Sequence, residues 1–180
     1  WLPLQVRARQ ADHGLELKLS SEQGPVLQGD AGFSLKHSSG TGSYYYSQPF
    51  LRAQGSIELN GRKIPVKGQA WLDHEWSSQF LQPEQEGWDW FAIHLENGQK
   101  LMVFQLRNRA GARNGTFLHG VLIDQDGTTQ TLKPAEIRLQ AQKVFTVEER
   151  QLPLHWRLEL PGIGREMEIR ALHPQQWMTV

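Results

Sequence analysis

Residues 86–108, EGWDWFAIHLENGQKLMVFQLRN, contain two apolar stretches separated by an Asn-Gly dipeptide at positions 97 and 98. An Asn-Gly pair between such stretches is the strongest short-range signal of a β-hairpin, because both residues tolerate the positive φ angles of a tight turn. The segment therefore predicts strands over residues 86–95 and 100–108. Asn60-Gly61 and Asp126-Gly127 lie between similar stretches and predict two further hairpins.

Strand patterns continue along most of the chain. In LHWRLEL, residues 154–160, apolar and polar side chains alternate, as in an antiparallel sheet with one packed face and one wet face. The opening WLPLQVRA also reads as a strand, whereas residues 134–143 fit a helix or a strand equally well. Many strands joined by hairpins favour a barrel or a sandwich. The further predicted strands cover residues 14–20, 52–59, 62–72, 115–124, 154–160 and 165–171.

Composition excludes several classes of protein. The 180 residues fit one domain, or one domain with a fragment of another. Nineteen basic and nineteen acidic residues balance without a basic stripe, which argues against a nucleic-acid partner. The absence of cysteine excludes disulfides and zinc sites built on thiolates. Apolar runs are only a few residues long, too short to span a bilayer.

Residues 70–91, AWLDHEWSSQFLQPEQEGWDWF, form the candidate functional segment, because four of the seven tryptophans lie among titratable side chains. Aromatic rings beside a few polar groups are typical of small-molecule pockets. In an extended chain, His74 and Trp76 share one face, and Trp88 shares a face with Trp90. If the two segments are neighbouring strands, one face presents the imidazole and the indoles together. The residues concerned are Trp71, Trp76, Trp88, Trp90, Asp73, His74, Glu75 and Asp89, with Tyr45 of the run at 44–46 adding a hydroxyl.

A structural interpretation stands beside this one. Tryptophans in β proteins fill cores more often than they contact ligands, and Asp73 and Glu75 are also suited to capping strand ends or pairing with basic side chains. The histidines and carboxylates match no standard metal motif, so we predict no metal site. The sequence contains no GxSxG elbow and no phosphate-binding glycine pattern.

Four stretches together resemble the AttH-like and carotenoid 1,2-hydratase (CrtC) superfamily, and the AttH-like branch is the closer match. They are VLQGDAGFSLK, GSYYYSQP, GQAWLDHEWSSQFL and GWDWFAIHLENGQKLMVFQLR, at residues 26–36, 42–49, 68–81 and 87–107. The resemblance implies an all-β protein with two lipocalin-like antiparallel barrels in one longer chain. Residues 1–70 would then belong to the C-terminal part of the first barrel. Residues 71–180 would form the second barrel, incomplete at its C-terminus.

The resemblance also implies a location and partners. AttH-like proteins are bacterial, often encoded with ABC transporter components and often described as predicted secreted hydrolases. We therefore expect a periplasmic or envelope-associated protein that works with an ABC transport system. Membrane anchoring would depend on a segment outside this chain.

The hydratase branch implies a chemistry that needs no cofactor. It adds water to an isoprenoid alkene, which requires a carboxylic acid as proton donor. Asp73 is the first candidate acid and Asp89 the second, while His74 and Trp76 match the DHxW-type segment of that branch. Glu75 departs from its usual Asn, and a charged group there disfavours an alkene alongside it.

Three functions therefore remain open. The first is a lipocalin-like protein that binds an apolar small molecule through Tyr45, Trp71, Trp76, Trp88 and Trp90. The second is a cofactor-independent hydro-lyase that uses Asp73, His74 and Asp89. The third is a structural module whose aromatic side chains fill a small barrel. Binding is the function we favour.

Overall fold

The computed structural model describes residues 2–78, 81–109, 117–147 and 149–174. These residues form an all-β fold, as the sequence predicts, and they include two short 3-10 helices, Pro134–Glu136 and Pro161–Ile163. The strands are β1 (Leu4–Gln10), β2 (His13–Ser20), β3 (Val26–Leu27), β4 (Phe33–Leu35), β5 (Gly42–Leu59), β6 (Arg62–Trp76), β7 (Gln85–His94), β8 (Lys100–Asn108), β9 (Phe117–Ile123), β10 (Thr129–Leu132), β11 (Arg138–Val147), β12 (Arg150–Leu160) and β13 (Arg165–Arg170).

Strand β5 organises the largest sheet, which contains β1 to β6. Its first half pairs with β3 and β4, its second half pairs with β2, and β6 pairs with both halves. The register of β5 against β6 shifts between Gln48 and Leu51, around Pro49. A proline lacks the N–H that a regular ladder needs, so it is placed at such an irregularity.

Two smaller antiparallel sheets follow. Strands β10, β9, β8 and β7 form a four-stranded sheet in that order, and β11, β12 and β13 form a three-stranded sheet. Every pairing between the described strands is antiparallel. These antiparallel pairings are those expected of a chain that folds mainly as consecutive β-hairpins.

Strand β8 is buried on both faces and holds the three sheets together. Met102 and Phe104 pack into a core shared with Val26 and Tyr45 of the six-stranded sheet. Leu101 and Val103 pack into a second core, shared with Leu158 and other residues of the three-stranded sheet. A strand buried on both sides needs a continuous apolar run instead of alternation, and LMVF at 101–104 is such a run. The four-stranded sheet thus forms the middle layer.

The predicted hairpins are present, but only one has the predicted tight turn. Asn60 and Gly61 have φ angles of 51° and 73°, so a two-residue turn joins β5 to β6. At the other two sites only the glycine has a positive φ, and residues 95–99 and 124–128 form longer loops. The prediction of a two-residue turn is wrong there because a longer loop closes with one left-handed residue.

Most predicted strands lie where the sequence patterns put them, and 100–108 matches β8 at both ends. The structure adds β3, β4, β10 and the first half of β5, where short length or polar residues hide the alternation. The ambiguous segment at 134–143 is a 3-10 turn followed by the start of β11. Residues 115 and 116, the start of one predicted strand, lie outside the described residues. The division between residues 1–70 and 71–180 stays a prediction, and its boundary falls within β6.

Candidate functional site

The paired strands β5 and β6 separate two groups of side chains. Tyr45 lies opposite Glu75 and Ser47 lies opposite Asp73, so these four share one face. Side chains of this face line a cavity or bond to residues that line it. The intervening residues, such as His74, point to the outer face, since successive residues of a strand alternate.

A cavity of about 550 Å³ lies between β5 and β6 on one side and β7 and β8 on the other. Trp88 and Trp90 lie opposite Leu106 and Phe104 in the β7–β8 register, and all four side chains line the cavity. The Trp88 and Trp90 side chains are 61% and 42% exposed, so indole surface in this wall is not covered by the protein. The cavity therefore has an apolar wall that is open to an occupant.

Lys36 is the cation of this cavity. It follows β4, and its Nζ atom lies 2.9 Å from Oε1 of Glu75 and 3.0 Å from Oγ of Ser34. The same ammonium lies 4.1 Å from the centroid of the Phe104 ring and 5.1 Å from that of Tyr45. Burial lowers the pKa of Lys36, and the charges of Glu75 and Asp73 oppose that shift.

A chain of hydrogen bonds leads from the core to the indole wall. Gln28 Nε2 donates to Ser47 Oγ over 2.9 Å, and that hydroxyl donates to Asp73 Oδ1 over 2.5 Å. Trp90 Nε1 donates to the Tyr45 hydroxyl over 3.1 Å. Burial raises the pKa of Tyr45, and the negative charge of Asp73 with a hydrogen bond to it acts in the same direction. Tyr45 therefore keeps its proton and holds Trp90 beside the carboxylate.

His119 lies behind the Phe104 wall. Its ring centroid is 5.4 Å from that of Phe104, and its buried Nε2 atom has no hydrogen-bond partner among the described residues. Burial, with the charge of Lys36 second, lowers the pKa of His119 to about 4. The imidazole is consequently neutral at neutral pH, so it adds no charge to the site.

The outer face of β5 and β6 carries a second aromatic group. His74 lies 3.1 Å from the Tyr46 hydroxyl through Nδ1, and its ring contacts that of Trp76. Trp76 also stacks on Tyr44 and reaches the rim of the cavity. The expectation that His74 and the indole pair share one face is wrong, because β6 and β7 belong to different sheets.

Two other predicted residues lie away from the cavity. Asp89 points to the opposite face of β7, where Gln105 donates to it over 2.7 Å and Arg107 forms an ion pair with it. Trp71 packs against the first core, 5.9 Å edge-on from His94, and its buried Nε1 has no partner among the described residues. Of the predicted site residues, the structure brings together Asp73, Glu75, Tyr45, Trp76, Trp88 and Trp90 at the cavity.

Sequence reasoning missed Lys36, Phe104 and His119. Lys36 follows a Gly-containing stretch whose strands were not predicted, and only its pairing with β5 brings it to Glu75. Phe104 belongs to an apolar run that signals a core strand as strongly as a cavity wall. Nothing in the sequence neighbourhood of His119 indicates its burial or its contact with Phe104.

Neither short helix in the described part of the chain is long and apolar enough to cross a membrane. Within the same residues, no group of three His, Cys, Asp or Glu side chains converges to hold a metal ion.

Comparison with known proteins decides the family. The AttH-like family model matches residues 2–180, almost the whole chain. The chain belongs to the AttH-like family. This confirms the resemblance seen in the sequence. No curated protein matches the chain.

Solved structures place this AttH-like chain in a wider group of lipocalin-like folds. It is 33% identical to an AttH protein from Nitrosomonas europaea, with a TM-score of 0.84 over 96% of this chain and 53% of that one. It superposes on kievitone hydratase from Nectria haematococca with a TM-score of 0.68 over 88% of this chain, at 18% identity. The second likeness shows the fold alone. The chain spans about half the length of both structures.

Proposed function

We propose that this AttH-like chain binds an apolar small molecule in the cavity between β5–β6 and β7–β8. The observation that carries the proposal is the indole wall: Trp88 and Trp90 line the cavity with much of their surface uncovered. Exposed apolar area costs free energy in water, at about 25 cal/mol for each Å², and an apolar occupant removes that cost. A concave apolar site with a few polar anchors is the usual form of a ligand pocket.

The polar groups support binding more than they support proton transfer. Tyr45 is held protonated by burial and by its hydrogen bond to Asp73. Lys36 is paired with Glu75, and Asp73 accepts a hydrogen bond from the Ser47 hydroxyl. Each of these groups has a partner within the protein, so the arrangement is suited to orient a bound molecule.

The test is titration of the purified chain with a neutral apolar fluorophore, N-phenyl-1-naphthylamine. We expect saturable binding with one site per chain in the wild-type protein. Replacing both cavity indoles, by Trp88→Ala with Trp90→Ala, should weaken binding at least about tenfold. Trp156→Phe is the matched control, since it alters a tryptophan outside the cavity. Equal affinity in all three proteins would contradict the proposal.

A second candidate function is a cofactor-independent hydratase. It is favoured by the fold shared with a hydratase and by the Asp73 carboxyl at the wall of an apolar cavity. An acid in such a position can protonate an alkene once a substrate displaces water around it. Incubation with isoprenoid alkenes in H₂¹⁸O distinguishes the two functions. Product that carries ¹⁸O, and that disappears in Asp73→Asn, would establish the hydratase.

Location and partners belong to the same proposal. Membership of the AttH-like family supports a periplasmic or envelope-associated protein that works with an ABC transport system. Fractionation of the native host, followed by crosslinking and mass spectrometry, tests both parts. Recovery in the cytosol, or crosslinks that exclude transporter subunits, would contradict this part and leave the binding proposal unaffected.

A further inference from the structure

The charges that line the cavity do not balance. Among the described residues two carboxylates and one ammonium line it, and the ammonium of Lys36 is paired with Glu75. Asp73 is bonded to the hydroxyl groups of Ser47 and Tyr45 and forms no ion pair with a described basic side chain. Asp73 also interacts with the charge of Lys36, so a single ammonium serves two carboxylates and the described charges that line the cavity sum to one negative charge. A cationic occupant would balance that charge.

The aromatic wall suits a cation as well as an apolar body. The face of an aromatic ring carries negative potential, and indole is the strongest binder of cations among the side chains. The chain already holds its own Lys36 ammonium against Phe104 and Tyr45 in this cavity. Trp90 is linked to Asp73 through the Tyr45 hydroxyl, so indole and carboxylate converge on the same part of the cavity.

We propose that the natural ligand is a lipophilic cation, an apolar body that carries one ammonium or quaternary ammonium group. The apolar body lies along Trp88 and Leu106, and the positive group lies between Asp73 and the indoles. This inference rests on the proposed binding function and specifies its ligand class. An anionic head group fits less well, because it must meet two carboxylates and displace Glu75 from Lys36.

A matched pair of probes tests the charge separately from the shape. One is an octyl chain that ends in trimethylammonium, and the other is octyldimethylamine N-oxide, a soluble near-isostere with the same chain and no net charge at neutral pH. Octanoate supplies the anionic comparison. Calorimetric titration in 0.15 M salt, below the micellar concentration of each probe, gives the three affinities. We expect the cation to bind at least about tenfold more tightly than its neutral isostere, since a desolvated cation–π contact and an ion pair add to the same apolar contact.

Variants then assign the effect to residues. Asp73→Asn should weaken binding of the cation about tenfold more than it weakens binding of the neutral probe. Glu86→Gln is the matched control, because it removes a carboxylate that is exposed on β7 and outside the cavity. Trp88→Leu keeps an apolar wall but removes the indole, so it should also reduce the preference for the cation. Circular dichroism and melting temperature establish that each variant is folded.

The outcomes separate the two proposals. Equal affinity for the cation and the neutral isostere would overturn the cation proposal while the binding function stands. Tightest binding of octanoate would also overturn it and would assign the head group to Lys36. Failure of all three probes to bind would overturn both proposals. Cation preference that survives Asp73→Asn and Trp88→Leu unchanged would contradict the assigned position.

Discussion

The two faces of strand β7 contain the same kinds of residue and are used differently. On one face Trp88 and Trp90 border a cavity and remain 61% and 42% exposed. On the other face Phe91 packs edge-on against Trp156, which is 7% exposed, and Asp89 is paired with Arg107. Aromatic residues beside a carboxylate thus form packed structure on one face and the wall of a cavity on the other. What distinguishes the faces is whether another strand of the protein covers the rings.

The largest effect is expected on the packed face. Trp156→Ala removes a buried indole and the 2.6 Å hydrogen bond from its Nε1 atom to the Pro153 carbonyl oxygen. We expect a loss of about 3–5 kcal/mol in the free energy of unfolding, because the cavity left behind is only partly filled by relaxation. Urea denaturation followed by circular dichroism measures it. A loss below about 1 kcal/mol would show that the packed face is not a core.

The next largest effect on the free energy of unfolding is expected from His119, which lies behind the cavity wall, and this effect depends on pH. The pKa of His119 is about 4 in the folded chain, below its ordinary value of 6.5. The unfolded chain therefore binds the proton more readily between pH 6.5 and 4, and the free energy of unfolding should fall by about 2–3 kcal/mol as the pH decreases through that range. His119→Gln should flatten this part of the curve. His13→Gln, at an exposed position, is the control, and an unchanged curve in His119→Gln would contradict the assignment.

A smaller effect on stability is expected from Asp89→Asn. The Asp89 side chain is 9% exposed and holds Arg107, so the variant should lose about 1–2 kcal/mol of stability. Because Asp89 faces away from the cavity, the affinity for N-phenyl-1-naphthylamine should not change. A loss of affinity greater than about threefold would indicate that Asp89 contributes to ligand binding.

The smallest effect on stability is expected on the cavity face. Trp88→Ala removes a side chain that is mostly exposed, so the free energy of unfolding should change by no more than about 0.5–1 kcal/mol. The same variant should weaken ligand binding about tenfold, because the indole is part of the apolar wall. Thermal denaturation and probe titration on one sample compare the two. A large loss of stability without a loss of affinity would make Trp88 a core residue.

The sequence predicts the middle of this fold better than its edges. The run LMVF at 101–104 and the Asn60-Gly61 turn carry local signals that are strong enough to identify β8 and the β5–β6 hairpin. The first half of β5 carries no such signal. Its inward positions include the polar residues Ser43 and Ser47, and the residues between its inward positions, Tyr44 and Tyr46, are aromatic, so apolar and polar side chains do not alternate. Its place in the sheet comes from pairing with β4 and β6, which lie far apart in sequence.

Only part of the candidate site could be predicted from the sequence, because the rest depends on contacts between segments that are far apart in the chain. The density of indoles identified Trp88 and Trp90, and alternation put Asp73 on a different face from His74. Which of those faces would meet the β7 indoles depends on how the sheets pack, and no local pattern contains that information. Lys36 reaches Glu75 only through such packing, so its role becomes visible only in the structure.

Fluorine NMR of the chain labelled with 5-fluorotryptophan tests the two-face account most directly. The seven tryptophans give separate reporters, assigned by single Trp→Phe variants. On addition of N-phenyl-1-naphthylamine, we expect the resonances of Trp76, Trp88 and Trp90 to shift with saturation while that of Trp156 stays in place. A saturating shift of Trp156 without a shift of Trp88 and Trp90 would put the ligand elsewhere and contradict the account.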